Sequence, residues 1–343
     1  MLFRSPIYAD EIDSQLIDNL PNFEFSQNLH IGVDDDFLKG ADNMDIASSA
    51  QYILECFVSN VMLKARMIGK STILVYGGGV ALNGVANYRI LKEGPFDNVH
   101  IPPSPGDAGS AVGCAQYLYY THLANPRTID TDQSKVISES VYVGPSYSNE
   151  QIQSFLDTNQ IKYEKLEKPE LLAKTAKLIS EGKIVGWYQG KMEWGPRALG
   201  CRSILADPRK AEMKDILNEK IKHREAFRPF APSILEEHVS EYFEIDRPSP
   251  YMLLVAPVKK PNEIPAVTHV DGTGRLQTVN HGANPLYYDL ISEFYKITGI
   301  PVIINTSMNV MGEPIVNTPE QAYQMIVKTD MDYLIMGNYL VSK

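Results

Sequence analysis

The chain has 343 residues, 44% of them hydrophobic and 22% charged, with a formal net charge of −10. That length exceeds what one hydrophobic core ordinarily serves, so two domains are expected, and the acidic balance speaks against a general nucleic-acid binder. No apolar run approaches the ~20 residues of a membrane span.

The opening residues MLFRSPIYADEIDS lack the apolar core of a signal peptide. Cys56, Cys114 and Cys201 are too widely spaced for a disulfide framework or a zinc knuckle. The expectation is a cytoplasmic protein with no membrane and no nucleic-acid partner. In chain order, apolar Ile46, Ala50, Ile53, Phe57, Val61 and Ala65 predict a helix over 46–68, with Asp45 as its N-cap. STILVYGGG reads as a short buried strand running into Gly77, Gly78 and Gly79, followed by a helix over 80–92. PPSPGDAGSAVGCAQYLYY is a proline-rich loop entering another helix, with Asp107 near its start. This is strand–loop–helix organisation, as in an α/β domain. NPRTIDTDQSKVISE is polar and without periodicity, and reads as a linker. It is placed at 131–140, between a domain over 1–130 and one over 141–343. Beyond it the apolar runs KIVGWYQ, SILA, PSIL, YMLLVAPV, RLQTV, PVIIN and YLIMG alternate with helices over 211–221, 286–297 and 320–327. A second α/β domain with a mixed, twisted sheet follows.

The stretch KMEWGPRALGCRSILADPR brings Lys191, Arg197 and Arg202 among Gly190, Gly195, Pro196 and Gly200. Guanidinium forks match phosphate or carboxylate, and glycines let backbone N–H groups approach an anion. The alternative is that these arginines pair with acidic neighbours. In KIKHREAFRPFAPSIL, a solvated helix end accounts for Lys220 and Lys222, whose charge complements the helix dipole; it accounts less well for Arg228, between Phe227 and Pro229. PVIINTSMNVMGEP runs a strand into Asn305, Ser307 and Asn309, either a ligand-binding strand end or turn chemistry. HVDGTGRLQTVNHG offers Arg275 as a further anion contact, and its histidines lack the spacing of metal ligands. GGGVALN, with Asn83, fits an anion site at a helix start, though close helix–strand packing asks for the same glycines. Asp107 is a metal ligand or a helix cap.

Taken together and in order, GGGVALNGVANYRI, PPSPGDAGSAVGCA, EWGPRALGCRSILADPR, REAFRPFAPSIL, HVDGTGRLQTV and NTSMNVMGEPIV resemble the NodU/CmcH family of O-carbamoyltransferases over nearly the whole chain. The resemblance implies a C-terminal YrdC-like domain that makes carbamoyl adenylate and pyrophosphate from ATP and carbamoyl phosphate, with Mg2+ accompanying the ATP. It also implies an N-terminal domain of the actin-like ATPase (ASKHA) superfamily that passes the carbamoyl group to a hydroxyl of a small-molecule acceptor. Carried over by residue, Lys191, Arg197, Arg202, Ser203 and Arg228 line the carbamoyl phosphate and ATP pocket, with Asn305, Ser307 and Asn309 on its other wall. Gly77, Gly78, Gly79 and Asn83 match the nucleotide loop of the first domain. Asp107 matches a carboxylate ligand to a metal, usually iron.

The sequence departs from that pattern at the family's histidine pair, H-x-x-x-H. Its histidines are His30, His100, His122, His223, His238, His269 and His281, and no two stand four apart. The expectation is therefore a partial ASKHA lobe followed by an intact adenylating domain. A second polypeptide carrying the first lobe, or a second copy, would complete it, and Fe2+ or a similar metal would bind only if that partner brings the histidines. A non-catalytic nucleotide-binding remnant is the alternative.

Overall fold

The computed structural model describes residues 42–127 and 130–343; His30 and the rest of the first 41 positions lie outside the described residues. Helix α1 (Asn43–Gly69) starts one turn earlier than the apolar spacing predicts, because Asp42 rather than Asp45 is the N-cap: its side chain accepts from the Met44 N–H at 2.8 Å. Asp45 is instead buried in the first turn. By length and composition alone α1 is long and apolar enough to cross a membrane, which corrects the reading that nothing in the chain approaches that length. Strand β1 (Ile73–Val75) runs parallel to β2 (Asn98–His100). Between them, a single 3-10 turn at Gly79–Leu82 leads into α2 (Gly84–Glu93), where one helix over 80–92 was expected. Val58 and Met62 of α1 pack on Ile90 of α2 and on Phe96. Helix α3 (Asp107–Gln116) passes into a wide turn at Tyr117–His122.

The segment read as a linker is largely helical. Asp132 caps α4 (Gln133–Val141), accepting from the Ser134 and Lys135 N–H groups, and Val141 anchors its far end in the second domain's core.

The second domain is built on one nine-stranded sheet. Its strands are β3 (Glu164–Lys165), β4 (Val185–Tyr188), β5 (Arg202–Ala206), β6 (Ala231–Leu235), β7 (Leu254–Pro257), β8 (Thr273–Val279), β9 (Val302–Ser307), β10 (Tyr333–Met336) and β11 (Tyr339–Ser342). Their order is β3-β11-β10-β4-β5-β9-β6-β8-β7, with β4–β10 and β6–β8 parallel and the other pairs antiparallel, so the sheet is mixed as expected. Side chains alternate across it. Ile204, Ile234, Leu276 and Ile304 join one core with α5 (Asn149–Thr158), α7 (Met213–Leu217), α8 (Val239–Tyr242) and α10 (Pro319–Lys328). Leu205, Leu235, Val279 and Ile303 join the other with α6 (Lys168–Ser180) and α9 (Pro285–Thr298).

The two domains meet where α2 lies on β7. Asn87 Nδ2 donates to the Leu253 carbonyl at 2.8 Å and the Tyr88 hydroxyl donates to the Glu244 carbonyl at 3.0 Å. A Cβ on Gly84 would stand 2.8 Å from Val255 Cγ2, so this helix start has no room for a side chain.

Candidate active site

At one end of the large sheet β5, β6 and β8 begin and β9 ends, and the apolar alternation there gives way to polar side chains. Ser203 of β5 stands opposite Ser307 of β9, and Ser233 of β6 opposite Gln277 of β8. Gln277 Oε1 accepts from Ser233 Oγ (2.7 Å) and from Asn305 Nδ2 (2.9 Å). Asn305 Nδ2 also donates to the Ala198 carbonyl, and Gln277 Nε2 to that of Leu199. These bonds pin the glycine-rich loop 190–201 onto the sheet.

Inside the loop, buried Glu193 accepts through Oε1 from the N–H groups of Leu199 (2.7 Å), Cys201 (2.6 Å) and Arg202 (3.2 Å). One carboxylate thus satisfies three backbone donors of a tight turn. The turn needs glycine at 200, where φ is +104° and a Cβ would lie 2.3 Å from the Tyr287 ring. Gly195 faces the first domain: its Cβ would be 3.2 Å from the Pro103 carbonyl. The loop therefore touches the proline-rich segment that enters α3.

The cations have separate tasks. Arg202 is fully buried and stacks on the Tyr188 ring at 3.8 Å. Its Nη1 donates to the carbonyls of Gln189 and Cys201, and its Nη2 to those of Pro145 and Gly190. It shapes the loop rather than facing a ligand, which corrects the expectation that it lines the pocket. Lys191 is exposed on the loop. Arg197 and Arg275 each hold a buried Nε with no hydrogen-bond partner. Burial, then Arg197, then Arg224 bring the Arg275 guanidinium down to about 9. Burial also lowers Arg197, and burial followed by the charge of Arg228 lowers Arg224. Arg224 is held by Asn218 Oδ1 at 2.7 Å and lies over the Phe230 ring. Arg228 is exposed and pairs with Glu225 at 3.1 Å. Arg197 and Arg275, like charges brought together and desolvated with their Nε groups unpartnered, form a site that an anion would stabilise.

Lys222 is not at a solvated helix end. A wide turn at Asn218–Lys222 extends α7 and carries the lysine inward, where it is buried. Its Nζ donates to the Ser307 carbonyl and hydroxyl, to Asn309 Oδ1 at 2.8 Å and to the Asn309 carbonyl at 2.9 Å. Burial, then the neighbouring Arg224, hold it at about 7. Lys220, by contrast, is exposed as expected. His269 donates or accepts at Nδ1 with Thr273 Oγ1 at 3.0 Å, and burial lowers it to about 4, so it is neutral at neutral pH.

In the first domain the Gly78 N–H donates to the Pro105 carbonyl at 2.7 Å with φ at +101°, while Gly79 has open space around it. Asn83 caps α2, accepting from the Ala86 N–H, and exchanges amide bonds with Gln51, so its side chain is engaged in structure. Asp107 opens α3 and is exposed. Among the described residues no three His, Cys, Asp or Glu side chains gather as a metal site would require, so Asp107 does not by itself fit a bound metal.

Two family models match this chain: Carbamoyltransferase N-terminus over residues 3–116 and Carbamoyltransferase C-terminus over residues 176–343. The chain belongs to the carbamoyltransferase family. The nodulation protein NolO of Bradyrhizobium diazoefficiens is 40% identical over 305 residues, covering 87% of this chain and 54% of that protein. An uncharacterized protein of Synechocystis sp. is 42% identical over 327 residues, covering 88% of this chain and 52% of that one. This carbamoyltransferase-family chain thus spans about half the length of the curated relatives it matches. Among solved structures, P. abyssi Sua5 complexed with L-threonine gives a TM-score of 0.37 at 19% identity, over 51% of this chain and 48% of that one. The arginine-lined end of the sheet lies within the region matched by the C-terminal model, and the glycine loop and Asp107 within that of the N-terminal one.

Reading the sequence missed Lys222, Arg224, Glu193 and Gln277 as site residues. Only Lys222 and Arg224 left a trace, as neighbours in a basic run. Their inward position depends on the wide turn, which no periodicity announces.

Proposed function

We propose that the arginine-lined end of the second domain binds ATP, with Mg2+, and carbamoyl phosphate, and joins them as carbamoyl adenylate with release of pyrophosphate. In this reading the second domain is the YrdC-like adenylating unit and the first an ASKHA-type lobe, from which the carbamoyl group passes to a hydroxyl of a small-molecule acceptor. The observation that carries it is the pair Arg197 and Arg275, whose buried Nε groups have no hydrogen-bond partner, near Arg224 and buried Lys222, with Asn305 holding the loop at Ala198 and Ser307 and Asn309 holding the lysine. Fixed cations of this kind stabilise charge developing on phosphate oxygens. The contact of Gly195 with Pro103 supports a route for the product, since it brings the adenylating loop beside the segment leading to Asp107.

The test is ATP–pyrophosphate exchange dependent on carbamoyl phosphate. Arg197→Ala or Arg228→Ala should lower exchange about a hundredfold or more while circular dichroism and the melting transition stay those of the parent. Near-parental exchange in the folded variants would return both arginines to structural roles.

A further inference from the structure

Helices and strands satisfy their backbone with backbone, whereas the base of the glycine-rich loop is satisfied mostly by side chains. From the Ala198 carbonyl to the Arg202 N–H, every backbone polar group has a partner. Asn305 holds the Ala198 carbonyl, and Gln277 and the Tyr142 hydroxyl share that of Leu199, each at 3.0 Å. The Gly200 N–H donates to Ser203 Oγ, and the Gly200 carbonyl accepts from Trp187 Nε1 at 3.0 Å. The Cys201 carbonyl takes the Gln189 N–H and Arg202 Nη1. The three remaining N–H groups, of Leu199, Cys201 and Arg202, all end on Glu193 Oε1. Glu193 is 4% exposed, so its charge rests on those donors rather than on water.

We propose that Glu193 is a positioning residue for the anion site: it closes the loop over 193–202 and so sets the direction in which Arg197 leaves it. The inference rests on the reading of this end of the sheet as an anion site. Arg197 stands two positions before Leu199, half-buried, and follows Gly195, whose φ of +128° is a conformation that side-chain-bearing residues rarely adopt. Its fixed point is therefore the closed base, and a guanidinium aims accurately only from a backbone held by its surroundings. A carboxylate suits the task, because one charged oxygen takes three N–H groups where an amide oxygen has two lone pairs. Glu193 Oε2 is buried without a partner, so a glutamine there would bury an unpaired NH2. By charge alone, a carboxylate in a loop that offers cations to an anion opposes binding. Geometry and charge thus predict opposite results when it is removed.

Sulfate titrated calorimetrically into the full chain and its variants tests this. Glu193→Ala should weaken binding about tenfold. Glu193→Gln should weaken it about threefold, since its oxygen still takes two of the three N–H groups. Arg197→Ala should cost about tenfold. Combining Glu193→Ala with Arg197→Ala should weaken binding no further than either alone, because a misaimed arginine and a missing one are equivalent. Parental amide protection across β4 and β9 reports that the variants are folded. Where Glu193→Ala does not fold, Glu193→Gln completes the same cycle, and the double variant should match Arg197→Ala. Unchanged or tighter binding by folded Glu193→Gln, or losses that multiply in the cycle, would overturn the positioning role and leave the anion site standing. No sulfate binding by the parent chain would instead overturn the anion-site reading and this inference with it.

Discussion

Residues 42–127 enclose one small apolar cluster of their own, Val58, Met62, Ile90 and Phe96, whereas the nine-stranded sheet carries a large cluster on each face. The first domain leaves Leu63, Met67, Ile68, Ile73 and Val75 exposed and leans on the second through α2 and β7. The second buries Arg202 and Lys222 outright. The contrast teaches where desolvated charge is tolerated. A cation stripped of water needs fixed backbone carbonyls around it, and only a frame packed on both sides holds them still. In the thinner domain, the glycine loop and Asp107 are open to solvent instead.

The sharpest way to break the thicker frame is at Gly200. An added Cβ would meet the buried Tyr287 ring at 2.3 Å with φ at +104°, so Gly200→Ala should cost about 3 kcal/mol or more, read from the denaturant midpoint. Gly190→Ala is the control, because φ is +51° and nothing lies within 4 Å; it should cost about 1 kcal/mol. Equal losses for the two would remove the steric argument for the turn.

A smaller effect is expected at the joint. Gly84→Ala forces a Cβ to 2.8 Å from Val255 Cγ2, and valine has few rotamers with which to give way. Docking should weaken by about 1–2 kcal/mol. Hydrogen exchange should then quicken across α1 and α2 while β4, β5 and β9 keep their protection. Uniform loss of protection would mean that the domains unfold as one unit and that the comparison is misplaced.

Much of the sheet was legible because buried strands leave continuous apolar runs, and SILA, PSIL and PVIIN each became one. The site was legible only by residue type. Arg197 and Arg202 read alike in sequence, and each keeps a buried Nε without a partner, yet the register that sets Tyr188 against Arg202 puts that arginine fully buried under a ring with its Nη atoms on carbonyls, while Arg197 is only half-buried. Lys222 follows Lys220 in a basic run and differs from it only through the wide turn. Glu193 gave no signal, since a carboxylate serving three N–H groups of a turn looks in sequence like any surface acid. Residues 133–141 looked like a linker because their helix rests on the Asp132 cap and a few apolar contacts rather than on a full apolar stripe.

The finest test separates the anion-binding role of Lys222 from its cost to the fold. In the folded chain it titrates near 7, below its ordinary value of 10.5, through burial first and Arg224 second. The unfolded chain therefore binds more protons between those values, and stability should rise as pH increases from about 7 to 10.5, with the penalty fully present below 7. Anion affinity should move the other way, because an anion prefers the protonated amine. Sulfate, which does not titrate in this range, should bind about threefold more weakly at pH 7.5 than at 6.5, by calorimetry. Lys222→Met should flatten that step while leaving the decline expected near pH 9 from Arg275. Stability and affinity changing in the same direction across pH 7 would show that Lys222 is not the group that couples them.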